Sequence, residues 1–180
     1  MERKLKFKKC KACGDEFQVF RSMQKVCSGK CGIELDRQKK AKAADKEHRQ
    51  AKKRLRDEDR SFQIKKTQAL FNKYIRVRDR NRPCISCARH HSGQYHAGHY
   101  RTVGANPELR FNEDNCHKQC SACNNHLSGN IVNYRINLIH KISAEGVEEL
   151  EGPHEPKKYT IEQLKELQKH YSELIKGMEI

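Results

Sequence analysis

Nine cysteines, eight of them in close pairs, constrain this chain more than any other feature. The pairs are Cys10/Cys13, Cys27/Cys31, Cys84/Cys87 and Cys120/Cys123, with Cys116 left over. Close pairs with an odd total point to thiolate–metal knots rather than to a disulfide framework. The chain also needs such staples. With 35% of its 180 residues hydrophobic and 34% charged, it has little apolar surface from which to build a large core.

The first knot is spaced Cys10-x2-Cys13-x13-Cys27-x3-Cys31, a good four-thiolate Zn²⁺ site. Glycines follow Cys13 and Cys31 directly, and there they are expected to let backbone N–H groups turn toward the sulfurs. From about Ile33 to Arg60 the chain is almost wholly charged or alanine, without proline or glycine. This spells an exposed helix polar on every side, held by i,i+4 ion pairs. From Ser61 to Arg80 the pattern changes. Leu70, Phe71, Tyr74, Ile75 and Val77 recur at helical spacing, so this helix should dock on the segments C-terminal to it, ending at Asn81-Arg82-Pro83. Alternating apolar stretches around Gly93 read as a β-hairpin, Ile131–Ile142 reads as a helix, and Thr160-Ile161-Glu162-Gln163 is a capping box opening a final amphipathic helix through Leu164, Leu167, Tyr171 and Leu174. Four segments result: 1–35, a zinc module; 36–80, the charged and docking helices; 81–135, the motif-rich centre; 136–180, a helical region.

The net charge of +15 creates a field suited to polyanions, and DNA is the expected partner. Lys39, Lys40, Lys42, Lys52, Lys53 and Arg54 on the charged helix are candidate phosphate contacts. The N-terminus is basic with no apolar run behind it, and nothing approaches the roughly 18 apolar residues of a membrane span. A cytoplasmic protein, without a membrane partner or small-molecule cofactor, is therefore expected.

Cys84-Ile-Ser-Cys87 and Cys120-Ser-Ala-Cys123 are two knuckles whose separation allows one tetrahedral zinc to clamp the ends of a compact insert. A ribbon that only binds would not need what the insert carries. It supplies His96 and His99, then Asn115, with Asn124 directly after the last cysteine. Hydrolysing a phosphodiester needs a deprotonated water, stabilisation of phosphoryl charge and help for the leaving oxygen. A histidine can meet the first need at neutral pH. One hard divalent ion, Mg²⁺ or Mn²⁺, can meet the other two, held by an oxygen such as that of Asn124. His99 is the candidate base and His96 the nearest further metal ligand; in the alternative, His99 binds metal and His96 or His117 is the base. Arg101 and Arg110 are placed to clamp a phosphate or stabilise transition-state charge. Cys116 has no assigned role.

The runs PCISC, AGHYRT, LRFNEDN, HKQC, CN and SGN between Pro83 and Tyr134 resemble the HNH (His-Me finger) motif in the zinc-braced form of phage endonuclease VII. More closely still they resemble the lambdoid phage NinG (Rap) family of recombination endonucleases. The resemblance extends to the N-terminal four-cysteine module, the charged helix and the Tyr159-Thr160-Ile161-Glu162 helix start. It implies an α+β fold, a small zinc-stapled ββα-metal core with an N-terminal zinc finger and long flanking helices. It also implies metal-dependent cleavage of branched DNA such as Holliday junctions or D-loops, leaving 5′-phosphate and 3′-hydroxyl ends, in the host-cell cytoplasm if phage-encoded. Asn115 matches the middle asparagine of the motif, which ties down the histidine-bearing loop. Where many HNH motifs carry an acid or histidine ligand directly before the base, this chain has Gly98. Two symmetric cuts in a four-way junction would call for two like sites and hence a homodimer. The rival functions are a non-catalytic zinc-dependent nucleic-acid binder and an HNH nickase of duplex DNA.

Overall fold

A computed structural model of the chain describes residues 6–178; residues 1–5 and 179–180, the outer ends of the expected zinc module and helical region, lie outside it. The chain divides into two compact units, 1–56 and 57–180.

In the first unit, strands β1 (Phe7–Lys9) and β2 (Glu16–Gln18) pair antiparallel, with Phe7 opposite Gln18. The turn between them carries Cys10 and Cys13, and Gly14 follows with φ +84°, a conformation that costs a side-chain-bearing residue energy. Gly32 plays no such part. Helix α1 (Gly29–Glu58) starts earlier than its charge pattern suggests, because Ser28 Oγ accepts the Cys31 N–H at 3.3 Å and caps it, so Gly32 is an ordinary helical residue. No residue of α1 is buried, as a helix polar on all sides requires.

In the second unit, α2 (Arg60–Arg78) is capped by Asp59, whose side chain accepts from the Ser61 and Phe62 amides. It lies along α4 (Ile161–Met178), and Phe71, Tyr74, Ile75, Leu164, Tyr171 and Ile175 form the seam. A polar knot threads that seam: Gln168 Nε2 donates to Gln63 Oε1 at 2.9 Å and to Thr67 Oγ1 at 3.0 Å, and Thr67 Oγ1 donates to the Leu164 carbonyl at 3.2 Å. A knot with every member bonded fixes helix register as well as position. The capping box forms reciprocally, Gln163 N to Thr160 Oγ1 at 3.2 Å and Thr160 N to Gln163 Oε1 at 3.0 Å.

The central sheet differs from the hairpin expected around Gly93. Strand β3 (Tyr95–His99) pairs antiparallel with β4 (Cys116–Cys120), and Gly93 lies before it in an exposed bend. The reason is local. The Cys84–Cys87 knuckle consumes the backbone bonds a strand would need, Ala88 N to Cys84 O at 2.9 Å and Cys84 N to Arg89 O at 3.0 Å, with Ala88 at φ 55°. Helix α3 (Ile131–Glu151) is two helices joined at Ser143, whose φ of 74° and ψ of 168° break it directly after the expected helix end at Ile142. Its halves fold over Tyr100 and Leu109 through Tyr134, Leu138, Val147 and Leu150, and Arg135 clasps Glu151 at 2.8 and 3.0 Å. The architecture is thus α+β with small antiparallel hairpins, flanking helices and a zinc-stapled centre. No helix among the described residues is long and apolar enough to cross a membrane.

Asp79, just past α2, joins the sheet to both helices. It accepts from Arg78 at 2.9 and 3.1 Å, from Lys141 at 3.3 Å and from the Lys118 amide at 3.1 Å. Burial alone would raise its carboxyl, but Arg78 and then Lys141 outweigh it and hold the group down to about 2. This network lines a concavity of about 560 Å³ that also receives Arg82, His117 and His140. Its half-buried cations Arg78 and Lys141 are committed to Asp79, and the buried Lys118 to the Arg80 carbonyl at 2.9 Å, which leaves the exposed Arg82. We therefore assign it to the scaffold.

Candidate active site

Two four-cysteine clusters bring their sulfurs together, Cys10, Cys13, Cys27 and Cys31 in one and Cys84, Cys87, Cys120 and Cys123 in the other, all within 4.8 Å of one another in each set. The Cys13–Cys27, Cys27–Cys31 and Cys87–Cys120 separations are 3.7, 3.4 and 4.0 Å. They bracket the edge of about 3.8 Å that a tetrahedron with Zn–S bonds of about 2.3 Å requires. Backbone amides also aim at sulfur, Cys27 N at Cys10 Sγ (3.4 Å) and Cys120 N at Cys84 Sγ (3.3 Å). Amides of Cys13, Ala12 and Cys27 bring the Cys10 thiol down to about 6, and at Cys84 the amides of Cys87, Cys120 and Ser86 outweigh burial and lower it. These two thiols are thereby biased toward the thiolate that zinc needs, whereas burial raises Cys87 and Cys123 and neighbouring thiols raise Cys13 and Cys27. Both clusters have the make-up of structural Zn²⁺ sites.

The second cluster anchors everything else. Directly opposed residues of an antiparallel pair share one face, so His96 lies beside Gln119, and Gly98 beside His117, on the face toward α3. There Tyr134 OH donates to the Gly98 carbonyl at 2.9 Å and meets His117 Nδ1 at 3.2 Å. His117 is sealed, and burial followed by the Lys141 and Arg78 charges pushes it down to about 3. It packs against Tyr134, sealed from the water that a base would have to reach.

Asn124 comes to the same face. It stands in a wide helical turn, Ala122–His126, closed by Leu127 N to Ala122 O at 3.0 Å, rather than in the first turn of a long helix. Positive φ values at Ser128, Gly129 and Asn130 then separate that turn from α3. Asn124 Nδ2 donates to Asn125 Oδ1 at 2.6 Å, and Asn125 Nδ2 donates to Ser121 Oγ at 3.2 Å and approaches His96 Nε2 at 3.5 Å. Asn124 Oδ1 lies 3.0 Å from the point a Cβ on Gly98 would occupy. Asn124, Gly98 and His96 therefore meet in one place.

His99 does not join them there. The strand's alternation sends it to the opposite face, half-buried, its ring 6.0 Å from that of Phe71. Its Nε2 lies 3.0 Å from the Arg110 carbonyl. A carbonyl only accepts, so Nε2 carries the proton and Nδ1 the lone pair; Nδ1 lies 3.7 Å from Cys116 Sγ. Burial pushes His99 below the ordinary histidine range, so the ring is neutral at pH 7. Burial likewise pushes the Cys116 thiol far up, leaving it a thiol.

Asn115 closes the loop between the strands. Its Oδ1 accepts the Arg101 amide at 2.7 Å, and its Nδ2 donates to the Arg101 and Leu109 carbonyls at 3.0 and 3.3 Å. Arg101 sits beside this knot with Nε sealed from solvent and unpartnered, and Arg110 Nη1 reaches Gln68 Oε1 at 3.4 Å.

The profile described as Bacteriophage Lambda NinG protein matches residues 2–180. The chain is 40% identical to Protein ninG of Escherichia phage lambda, over 95% of this chain and 93% of that one. Protein ninG of Salmonella phage P22 is 39% identical over the same shares. The chain belongs to the NinG family. No solved structure matches it.

Two polar residues at the centre of this NinG site are not legible from the sequence, Gln119 and Asn125. Gln119 precedes a zinc cysteine and reads as filler in sequence; only the β3–β4 register sets it beside His96. The glycine at position 98 was the available signal, since a missing acid invites a search for an oxygen donor on the neighbouring strand.

Proposed function

We propose that this chain is a metal-dependent DNA endonuclease that hydrolyses phosphodiesters in branched recombination intermediates. The observation that carries the reading is the meeting of the Asn124 amide oxygen with the His96 face of the hairpin over Gly98, braced by four thiolates. Membership of the NinG family supports a role in DNA recombination. A bound Mg²⁺ or Mn²⁺ would neutralise charge on the phosphoryl oxygens and on the leaving 3′ oxygen. Asn124 Oδ1 and His96 are the groups that would hold it, an oxygen and an imidazole being suited to such ions.

His99 acts from the other face of the strand. Neutral, and held through Nε2 by the Arg110 carbonyl, it takes the proton of the attacking water. Asn115 holds the loop, and Arg101 and Arg110 serve the phosphate. One observation favours a second assignment within the same reaction: His99 Nδ1 is turned to Cys116, whereas His96 shares the face of Asn124, so His96 becomes the base and metal binding falls to other groups.

The test is cleavage of fixed four-way junction, fork and linear duplex DNA with Mg²⁺ supplied or withheld. Mg²⁺-dependent cutting that prefers the junction is the expected result. Equal cutting of duplex would favour a nickase. Binding with no cutting of any substrate under either condition would leave a zinc-dependent binder.

The DNA-holding surface includes α1. Lys39 is engaged by Asp36 at 3.4 Å, but among the described residues no carboxylate pairs with Lys40, Lys42, Lys52, Lys53 or Arg54. Unpaired exposed cations are free to displace counterions from DNA. Each neutralised phosphate contributes about 0.9 to the log–log salt slope on duplex. Reversing all six to glutamate should weaken binding and flatten that slope while leaving the rate on saturating DNA little changed. An unaltered slope would show α1 to be a solvated spacer and move the binding surface to Arg101, Arg110 and the first zinc module.

A further inference from the structure

We infer that Gln119 supplies the oxygen ligand that Gly98 lacks, so that the divalent ion is held between Gln119 and Asn124. The inference rests on the endonuclease function proposed for this chain and deepens its metal site.

Gln119 is only 1% exposed. Its Nε2 is spent on Ser86 Oγ, at 2.6 Å, and on the Gly129 carbonyl. Because that carbonyl can only accept, the amide's orientation is settled: nitrogen toward Gly129, Oε1 away from it. Oε1 lies 2.1 Å from the point where a Cβ on Gly98 would sit, and Asn124 Oδ1 lies 3.0 Å from that same point. The side chain of Gln119 therefore fills the volume that an acid at position 98 would take. No donor reaches Oε1 among the described residues. It is not sealed either, since among those residues the polar side-chain atom both sealed and unpartnered is Arg101 Nε. An anchored carbonyl oxygen that is unpartnered, almost wholly buried and aimed where a second amide oxygen points is what a hard cation recognises. The anchors also have a purpose, because ligands held by hydrogen bonds to their far side are pre-oriented for the ion.

Gly98 then has a physical necessity. Its φ lies outside the left-handed region that only glycine tolerates, so space rather than conformation requires it. Any side chain there would expel Oε1.

The experiment is titration of the full-length, zinc-loaded chain with Mn²⁺ alone, to millimolar concentration, following loss of the free-ion paramagnetic resonance signal. Zinc content and circular dichroism report folding. Wild type should bind one Mn²⁺, and Asn124→Ala and Gln119→Ala should each weaken it about tenfold or more. Gly98→Ala should weaken it comparably by displacing Oε1 while the Gln119 side chain is retained, which keeps the inference testable if Gln119→Ala misfolds. Gly98→Asp combined with Gln119→Ala should restore binding, an acid returning to the vacated volume. Wild-type affinity in Gln119→Ala or Gly98→Ala, with binding lost in Asn124→Ala, would overturn the inference and leave the endonuclease function standing. No Mn²⁺ bound by wild type, or full affinity in Asn124→Ala, would overturn the metal centre itself.

Discussion

A His99→Ala variant is expected to cut DNA about 10²–10⁴-fold more slowly than the parent chain, the range a general base contributes. Folding and DNA binding should persist, because among the described residues the ring's contacts are few: the Arg110 carbonyl at 3.0 Å, Cys116 Sγ at 3.7 Å and the Phe71 ring. The pH profile carries the sign of the mechanism. A base must be deprotonated to act, and burial lowers His99 from its ordinary 6.5. Cleavage should therefore rise with pH, level off below that ordinary value and stay flat through pH 7. In His99→Ala that limb should vanish along with the rate. A parallel His96→Ala variant separates the two assignments. In the first, His96→Ala raises the Mn²⁺ concentration needed and excess metal recovers the rate; in the second, it abolishes cleavage at any metal concentration and His99→Ala cuts normally. Near wild-type cutting by both variants would remove histidine as the base.

Loss of the second zinc should be as severe for folding as loss of His99 is for chemistry. Cys84 is sealed among Cys120, Cys123, Cys87 and Tyr95, and three backbone amides point at its sulfur. The strands it braces are five residues each, and the turn that carries Asn124 is a single one. Elements so short cannot hold themselves. Structural zinc binding is worth about 10–16 kcal/mol in small modules, more than the whole stability of many domains, about 5–15 kcal/mol. Cys84→Ser should thus unfold the hairpin and the Asn124 turn, read as loss of one zinc and of cleavage together. Cys10→Ser should also lose one zinc yet keep the Cys84 cluster. The parent chain should hold two Zn²⁺, and elemental analysis returning one or none in folded protein would refute the assignment of two four-thiolate sites.

How far each feature is legible in the sequence depends on how local its cause is. Both cysteine sets, the exposed α1, the docking face of α2 and the Thr160–Gln163 cap rest on neighbours a few residues apart, where ligand spacing, helical periodicity and capping chemistry act directly. The hairpin expected at Gly93 does not form because alternating apolarity there belongs to a knuckle whose hydrogen bonds close on themselves. Gly32 departs from its expected role for a similar reason, since the Ser28 cap draws it into α1.

The inventory of the site is a property of the residue order: eight thiolates in two sets, a basic surface, and the residues His96, His99, Asn115 and Asn124 within one insert. How that inventory is divided between faces is a property of the fold. The β3–β4 register puts His96, Gly98 and Gln119 with Asn124 on one side and turns His99 toward Phe71 and Cys116 on the other. Side chains alternate along a strand with a period of two, so a one-residue slip would exchange those faces. Nothing within a few residues of His99 specifies that register. It comes from packing against α2 and α3 and from a thiolate cluster whose halves are more than thirty residues apart in sequence.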